Sequence, residues 1–165
     1  MKQYHELLKT ILEKGQAHND RTGVGTISIF GHQSRYDLRH GFPIVTTKRT
    51  PFRFVAEELF WFLSGDTNEK NLQTRGVDIW AEWATVEHTE KFGREQGDLG
   101  TISLIREIET NPNSRRLIVS GWNPKQLAQV DLPPCHTLFQ FKIENEKILH
   151  CQLYQRGADA FLFRN

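Results

Sequence analysis

The chain has 165 residues, a length that suits one domain, and 38% of them are hydrophobic, which is enough to build a core. A net charge of +1 argues against a general nucleic-acid binder, and no apolar run is long enough to cross a bilayer. Two cysteines are too few for a disulfide scaffold, so we expect a cytoplasmic protein.

The N-terminal part of the chain predicts two helices with extended segments between them. Apolar residues at 7, 8, 11 and 12 recur at helical spacing, so residues 2–14 should form a helix that ends at Gly15. The loop NDRTGVGT follows, and β-branched and aromatic residues in 25–38 favour a strand or bent hairpin. Thr50 as N-cap and Pro51 at the first helical position predict an apolar helix through FRFVAEELFWFLSG.

The C-terminal part alternates short helices with strands. Asp66 and Glu69 indicate a helix start, and TISLIREIET at 101–110 has apolar residues on one side. LIVSGW is a predicted strand, and HTLFQFKI and KILHCQLYQR are two more strands around the turn-like ENEK. The pattern predicts one α+β domain over residues 1–165, with a mainly antiparallel sheet and helices packed on it.

The segment DLPPCHTLFQF, at 131–141, places Cys135 directly after two prolines at the start of a strand. If the following turn centres on Asn145 and Glu146, Ile143 pairs with Ile148. Stepping outward by twos then pairs Phe141 with His150, Phe139 with Gln152, Thr137 with Tyr154, and Cys135 with Arg156. An arginine beside a thiol favours the thiolate, which is the nucleophilic form of cysteine.

Three other interpretations of this cysteine are open. A zinc site from Cys135, His136, His150 and Cys151 is disfavoured, because sequence neighbours on a strand point to opposite faces. His150 would also lie on the order of 20 Å from Cys135 along the hairpin. The same alternation disfavours a Cys135–His136 peptidase pair, whose base would have to come from elsewhere. A small buried thiol is the ordinary role of a lone cysteine.

Four arginines stand where loops meet predicted elements, and they favour a phosphorylated substrate. A planar guanidinium offers paired donors to a phosphate, although any one arginine alone is ordinarily a solvated surface charge. The four are Arg21, Arg115, Arg116 and Arg156.

Several stretches together resemble the thymidylate synthase family. They are MKQYHELLKTILEKG, NDRTGVGTISIFGHQSRYDL, GFPIVTTKR, ELFWFLSGDTN, DIWAEWA, GDLG, SRRLIVSGWN, LPPCHTLFQF and CQLYQRGADAFL. They cover nearly the whole chain in order, which a single short pattern could not do. The resemblance implies conversion of dUMP to dTMP with 5,10-methylenetetrahydrofolate as a co-substrate that donates carbon and hydride, without a metal.

The resemblance also implies roles for individual residues. Cys135 matches the nucleophile, and Glu58 matches a glutamate that organises protons and water near the pyrimidine. Arg21 and Arg156 match phosphate ligands, and Arg156 also stands beside the nucleophile. Arg115 and Arg116 match an arginine pair supplied by the second subunit, which implies a homodimer. The folate side is matched by Lys48, Trp80, Trp83 and Asp159, and Asp159 lies with Gly157 in the substrate-binding segment.

The sequence departs from the family pattern at three places. Gly157 stands where the family has serine, the loop expected after Gly100 is missing, and the segment expected after FLFRN is missing. We therefore expect a shortened member whose activity alone is very weak or absent, with part of the apolar hairpin surface exposed. Two alternatives are open: an inactive homologue or fragment that acts as a partner subunit, and a pyrimidine-nucleotide hydroxymethylase.

Overall fold

The computed structural model describes residues 2–19, 23–47, 49–66, 68–81, 101–125, 127–129 and 133–160. They belong to two compact units, one within residues 1–50 and 159–164 and the other within residues 51–158. Both units combine helices with antiparallel strands, and the predicted α+β class is confirmed.

The first unit contains the expected N-terminal helix. Helix α1 spans Lys2–Lys14 and is followed by strands β1 (Gln16–His18) and β2 (Thr26–Ser28), which pair antiparallel. A side chain at Gly15 would collide with the Ile11 carbonyl and the Ile27 side chain, so only glycine fits there. The strand or hairpin expected over 25–38 is wrong in extent, because the described residues of that stretch form only β2 and the start of a 3-10 turn, Leu38–His40.

The second unit has a helical part with an aromatic core. Helix α2 spans Phe52–Leu63, α3 spans Glu69–Thr74 and α4 spans Thr101–Thr110. Trp61, Leu72 and Val77 are buried between α2 and the segment that follows it. Partly buried residues packed around these three are Phe54, Phe62, Ile79 and Trp80. No helix in the described part of the chain is long and apolar enough to cross a membrane.

Two helix starts differ from the expected ones by a residue or two. Thr50 does not cap α2; its hydroxyl donates to the Val45 carbonyl over 3.4 Å, and Pro51 precedes the first helical residue. Helix α3 is capped by Asn68, whose side chain accepts from the Lys70 N–H over 3.1 Å. Asp66 supports this cap by accepting from the Asn68 N–H over 3.0 Å. Asp66 and Asn68 each accept a hydrogen bond from the backbone N–H two residues later, and a side chain of this kind can start a helix. The residue types alone therefore do not decide which of the two is the N-cap.

The sheet of the second unit has three antiparallel strands in the order β3-β4-β5. Strand β3 spans Ile118–Ser120, β4 spans His136–Glu144 and β5 spans Ile148–Gln155. Leu117 and Val119 are buried, and α4 contacts β3. The sheet thereby brings the start of β4, the end of β5 and the end of β3 together at one end of the strands.

The expected register of the β4–β5 hairpin is wrong by one residue over most of its length. Phe141 pairs with Cys151 rather than His150, and Phe139 pairs with Leu153 rather than Gln152. Asn145 and Glu146 do form the turn, with φ of 52° and 54°, but residue 147 also lies in the loop and Glu144 pairs with Ile148. The observed register places most of the apolar residues of both strands on one face, and such a pattern is what sets register in a sheet.

That apolar face is partly open to solvent. It carries Phe139, Phe141, Ile143, Leu149, Cys151 and Leu153. Leu149 is 56% exposed and Leu153 is 40% exposed. Exposed apolar surface was expected for this hairpin, and it is present on the β5 side of the face.

Candidate active site

A β-bulge restores the expected pairing at the position of Cys135. The register shifts between His136 and Leu138, so that His136 pairs with Gln155. One residue further out, the Arg156 N–H donates to the Cys135 carbonyl over 3.0 Å. The Thr137 hydroxyl donates to the same carbonyl over 3.3 Å. Two hydrogen bonds therefore hold the Cys135 carbonyl, one from the residue that follows β5 and one from strand β4.

The side chain of Arg156 binds the two residues that precede Cys135. Its Nε–H donates to the Pro134 carbonyl over 3.1 Å and its Nη2–H donates to the Pro133 carbonyl over 2.6 Å. Proline has no backbone N–H but keeps its carbonyl as an acceptor, and its ring fixes φ. The double proline thus gives a stiff segment whose acceptors the guanidinium fork can bind together.

Trp122 lies against the same guanidinium. The guanidinium carbon of Arg156 is 5.8 Å from the centroid of the Trp122 ring, within the range of a cation–π contact. Trp122 is the second residue after β3, and the intervening Gly121 N–H donates to the Thr137 carbonyl over 3.0 Å. Residues from three segments therefore meet around the Cys135 backbone.

Glu58 and Trp80 form a second polar group, within the helical part. The indole N–H of Trp80 donates to Glu58 Oε1 over 2.8 Å, in a partly buried setting. Burial raises the pKa of Glu58 above its usual value, while the hydrogen bond from Trp80 acts in the opposite direction. A carboxyl group whose pKa is raised by burial keeps its proton to a higher pH than an exposed one, which suits it to proton transfer.

The two cysteines differ in their surroundings. Both are free thiols, and Cys135 is half-buried. Although Cys151 keeps contact with solvent, its partial burial raises the pKa of its thiol. Cys151 and Arg156 are an odd number of residues apart along β5, so their side chains point to opposite faces. The expected register paired Phe141 with His150, whereas in the structure Phe141 pairs with Cys151 and the two share a face. The Cys151 side chain nevertheless lies on the face opposite to that of Arg156.

The neighbouring histidines have other contacts. Desolvation lowers the pKa of His136, whose ring lies 6.1 Å from the Phe139 ring. His150 Nε2 lies 2.8 Å from Glu144 Oε2. Within the described residues, no group of three or more His, Cys, Asp or Glu side chains could hold a metal ion.

Arg115 and Arg116 do not lie at Cys135 of their own chain. Arg115 and Arg116 are exposed and precede β3, whereas the Cys135 segment lies beyond the other end of that strand. About five residues of extended chain separate the two ends, on the order of 15 Å. Gly157 is exposed and directly follows Arg156, and Asp159 belongs to the first unit. Arg21, Lys48 and Trp83 lie outside the described residues.

Trp122 is the residue near Cys135 that sequence reasoning did not assign to the site. The sequence places it only at the end of the predicted strand LIVSGW. The carbonyls of Pro133 and Pro134 were likewise missed as acceptors. Trp122 follows β3 and Cys135 precedes β4, so the two come close if these strands are antiparallel neighbours. That inference needs the strand order, which the sequence does not give.

The fold and this group of residues define an α+β protein with a cysteine held beside an arginine at one end of an antiparallel sheet. The family model described as thymidylate synthase matches residues 2–164, almost the full length of the chain. The chain belongs to the thymidylate synthase family, which places it among the transferases of dTMP synthesis.

Proposed function

We propose that the chain acts as a thymidylate synthase-type methyltransferase, with Cys135 as its nucleophile. The observation that carries the proposal is the double hold on the Cys135 backbone by Arg156, through its N–H to Cys135 and its guanidinium to the prolines. A nucleophile needs a fixed direction of attack, because a misplacement of about 1 Å can cost about a hundredfold in rate.

In the proposed reaction, the Cys135 thiolate forms a C–S bond to C6 of the uracil ring of dUMP. The electron pair of the C5–C6 bond moves to C5, which becomes the nucleophile for the methylene carbon of 5,10-methylenetetrahydrofolate. C5 loses its proton, the folate amine leaves, hydride from the reduced folate completes the methyl group, and the C–S bond breaks. Covalent addition divides one difficult step into easier ones.

Glu58 is proposed to organise the proton transfers, since its raised pKa lets the carboxyl group hold a proton. Trp80, whose N–H is already satisfied by Glu58, offers a flat partly buried ring that suits stacking with a pterin. We propose that Lys48, Trp83 and Asp159 complete the folate side.

Phosphate binding is assigned to Arg21 and Arg156, with Gly157 and Asp159 in the adjoining substrate segment. Arg115 and Arg116 are proposed to serve the site of a second subunit in a homodimer. Their exposure, and their position at the far end of β3 from Cys135, support a role at a site other than that of their own chain. We further propose that the enzyme is cytoplasmic and that residues 1–165 act as one functional domain.

The direct test is release of tritium from dUMP labelled at C5, with and without 5,10-methylenetetrahydrofolate. The proposal expects folate-dependent release that Cys135→Ser abolishes. No release from dUMP, together with release from labelled dCMP, would instead identify a pyrimidine-nucleotide hydroxymethylase. If neither nucleotide releases tritium from the chain alone, but release occurs once a catalytically silenced family member is added, the chain is a partner subunit.

A further inference from the structure

The turn after β3 is fastened both to itself and to the Cys135 strand. The Ser120 hydroxyl accepts from the Trp122 N–H and donates to the Trp122 carbonyl, both over 3.3 Å. The Gly121 N–H reaches the Thr137 carbonyl over 3.0 Å. The backbone of Trp122 is therefore fixed relative to the bulge that follows Cys135.

The Trp122 ring and the two proline carbonyls hold the same guanidinium from different directions. The ring faces Arg156 at 5.8 Å from the centroid, and the carbonyls of Pro133 and Pro134 accept N–H bonds from its edge. A free arginine side chain has many rotamers, and each contact reduces them. A guanidinium that lies over a ring while its N–H groups bind two carbonyls keeps one orientation, and the proline segment then has a fixed partner.

We infer that Trp122 is a positioning residue for Cys135. Its ring orients the Arg156 guanidinium, the guanidinium fixes the Pro133–Pro134 segment, and that segment sets the direction of the Cys135 thiol. This inference rests on the proposed function, in which Cys135 is the nucleophile. Trp122 acts through Arg156 and not on the substrate itself.

The first test measures the contact itself by NMR, as the exchange rate of the Arg156 Nε–H with solvent. Trp122→Leu removes the ring and should speed this exchange at least about tenfold, because the Nε–H to Pro134 bond opens more often. Trp122→Phe keeps an aromatic face and should stay within about threefold of the wild type. Tyr154→Leu is the matched control, since Tyr154 is 56% exposed and lies on β5 close to Arg156; it should leave the exchange rate unchanged.

The second test separates positioning from general damage to the fold. Covalent adduct formation at Cys135 requires a directed thiol, whereas alkylation by iodoacetamide does not. The adduct rate is measured at saturating 5-fluoro-dUMP and folate, so that weaker phosphate binding by Arg156 does not limit it. Trp122→Leu should slow the adduct at least about tenfold while alkylation of Cys135 changes less than about twofold. Trp122→Phe should restore most of the adduct rate.

The outcomes distinguish the two claims. Unchanged Nε–H exchange in Trp122→Leu, or equal slowing of adduct and alkylation, would overturn the positioning role. Adduct formation by Cys135→Ser at the wild-type level would overturn the proposed function. The exchange rates would still report whether Trp122 holds Arg156.

Discussion

The Arg156 N–H donates to the Cys135 carbonyl over 3.0 Å, just beyond the bulge between His136 and Leu138. The same arginine then turns its side chain back onto the carbonyls of Pro133 and Pro134. One residue therefore fixes the backbone of the cysteine and of the two residues before it. Bulges re-aim side chains next to active sites, and this one brings residue 135 opposite residue 156.

Gly157→Ser should supply the hydroxyl that the family resemblance implies at this position. A Cβ there would meet no atom within 4 Å, so we expect no cost to folding. One added hydrogen bond to the phosphate should tighten dUMP binding about fivefold to tenfold, equivalent to about 1 kcal/mol. Titration calorimetry with dUMP measures this. Gly157→Ala is the matched control, and equal tightening in both variants would contradict a role for the hydroxyl.

Glu58→Gln should change the pH dependence of stability in a defined direction. Because burial raises the folded pKa of Glu58, the unfolded chain loses this proton first as pH rises. The contribution of Glu58 to stability is thus fully present below the unfolded pKa and is lost as pH rises through the folded value. Gln keeps an acceptor for Trp80 and does not titrate.

Urea unfolding of both proteins from about pH 4 to about pH 7 tests this expectation. The variant should match the wild type at the acid end and gain relative stability toward neutrality. A gain that is constant over the whole range would show that titration of Glu58 is not its source.

Glu146→Gly should stabilise the hairpin turn. Glu146 has φ of 54°, a left-handed conformation that is strained for a residue with a side chain. The free energy of unfolding should rise by about 0.5–1 kcal/mol, since relief of strain exceeds the added entropy of glycine in the unfolded chain. Lys147→Gly, at the neighbouring loop position without positive φ, should lower stability instead. Equal effects of the two substitutions would argue against strain at Glu146.

Two defective variants should complement each other if the arginine pair serves the second subunit. One carries Cys135→Ala, and the other carries Arg115→Ala with Arg116→Ala. In a mixed dimer, one site combines the intact cysteine of one chain with the intact arginines of the other. Adduct formation with 5-fluoro-dUMP should therefore return on mixing, and its absence despite formation of a mixed dimer would place the arginines elsewhere.

Element types could be read from the sequence more reliably than register. The alternation from His136 to Gln155 predicts two strands correctly, because side-chain period is a local property. Register depends on whether Lys147 lies in the loop or in the strand, and the ENEK sequence fits either choice. The apolar face offered a better guide, since pairing Phe141 with Cys151 and Phe139 with Leu153 gathers the apolar residues together.

The pairing of Cys135 with Arg156 was predicted from a register that fails along most of the hairpin. It occurs because the bulge near Thr137 cancels the extra loop residue, and a compensation of that kind has no clear local sequence signal. The contact between Trp122 and Arg156 also joins residues far apart in the chain. Such contacts follow from strand order, which only the folded structure supplies.

The central claim is that Cys135 is the nucleophile, and covalent labelling with 5-fluoro-dUMP and 5,10-methylenetetrahydrofolate tests it most directly. Intact mass and peptide mapping should locate one adduct on Cys135 in the wild type and in Cys151→Ser, whose thiol lies on the other face with a raised pKa. Cys135→Ser should show no adduct at any position. An adduct that persists in Cys135→Ser, or that maps to Cys151, would contradict the account.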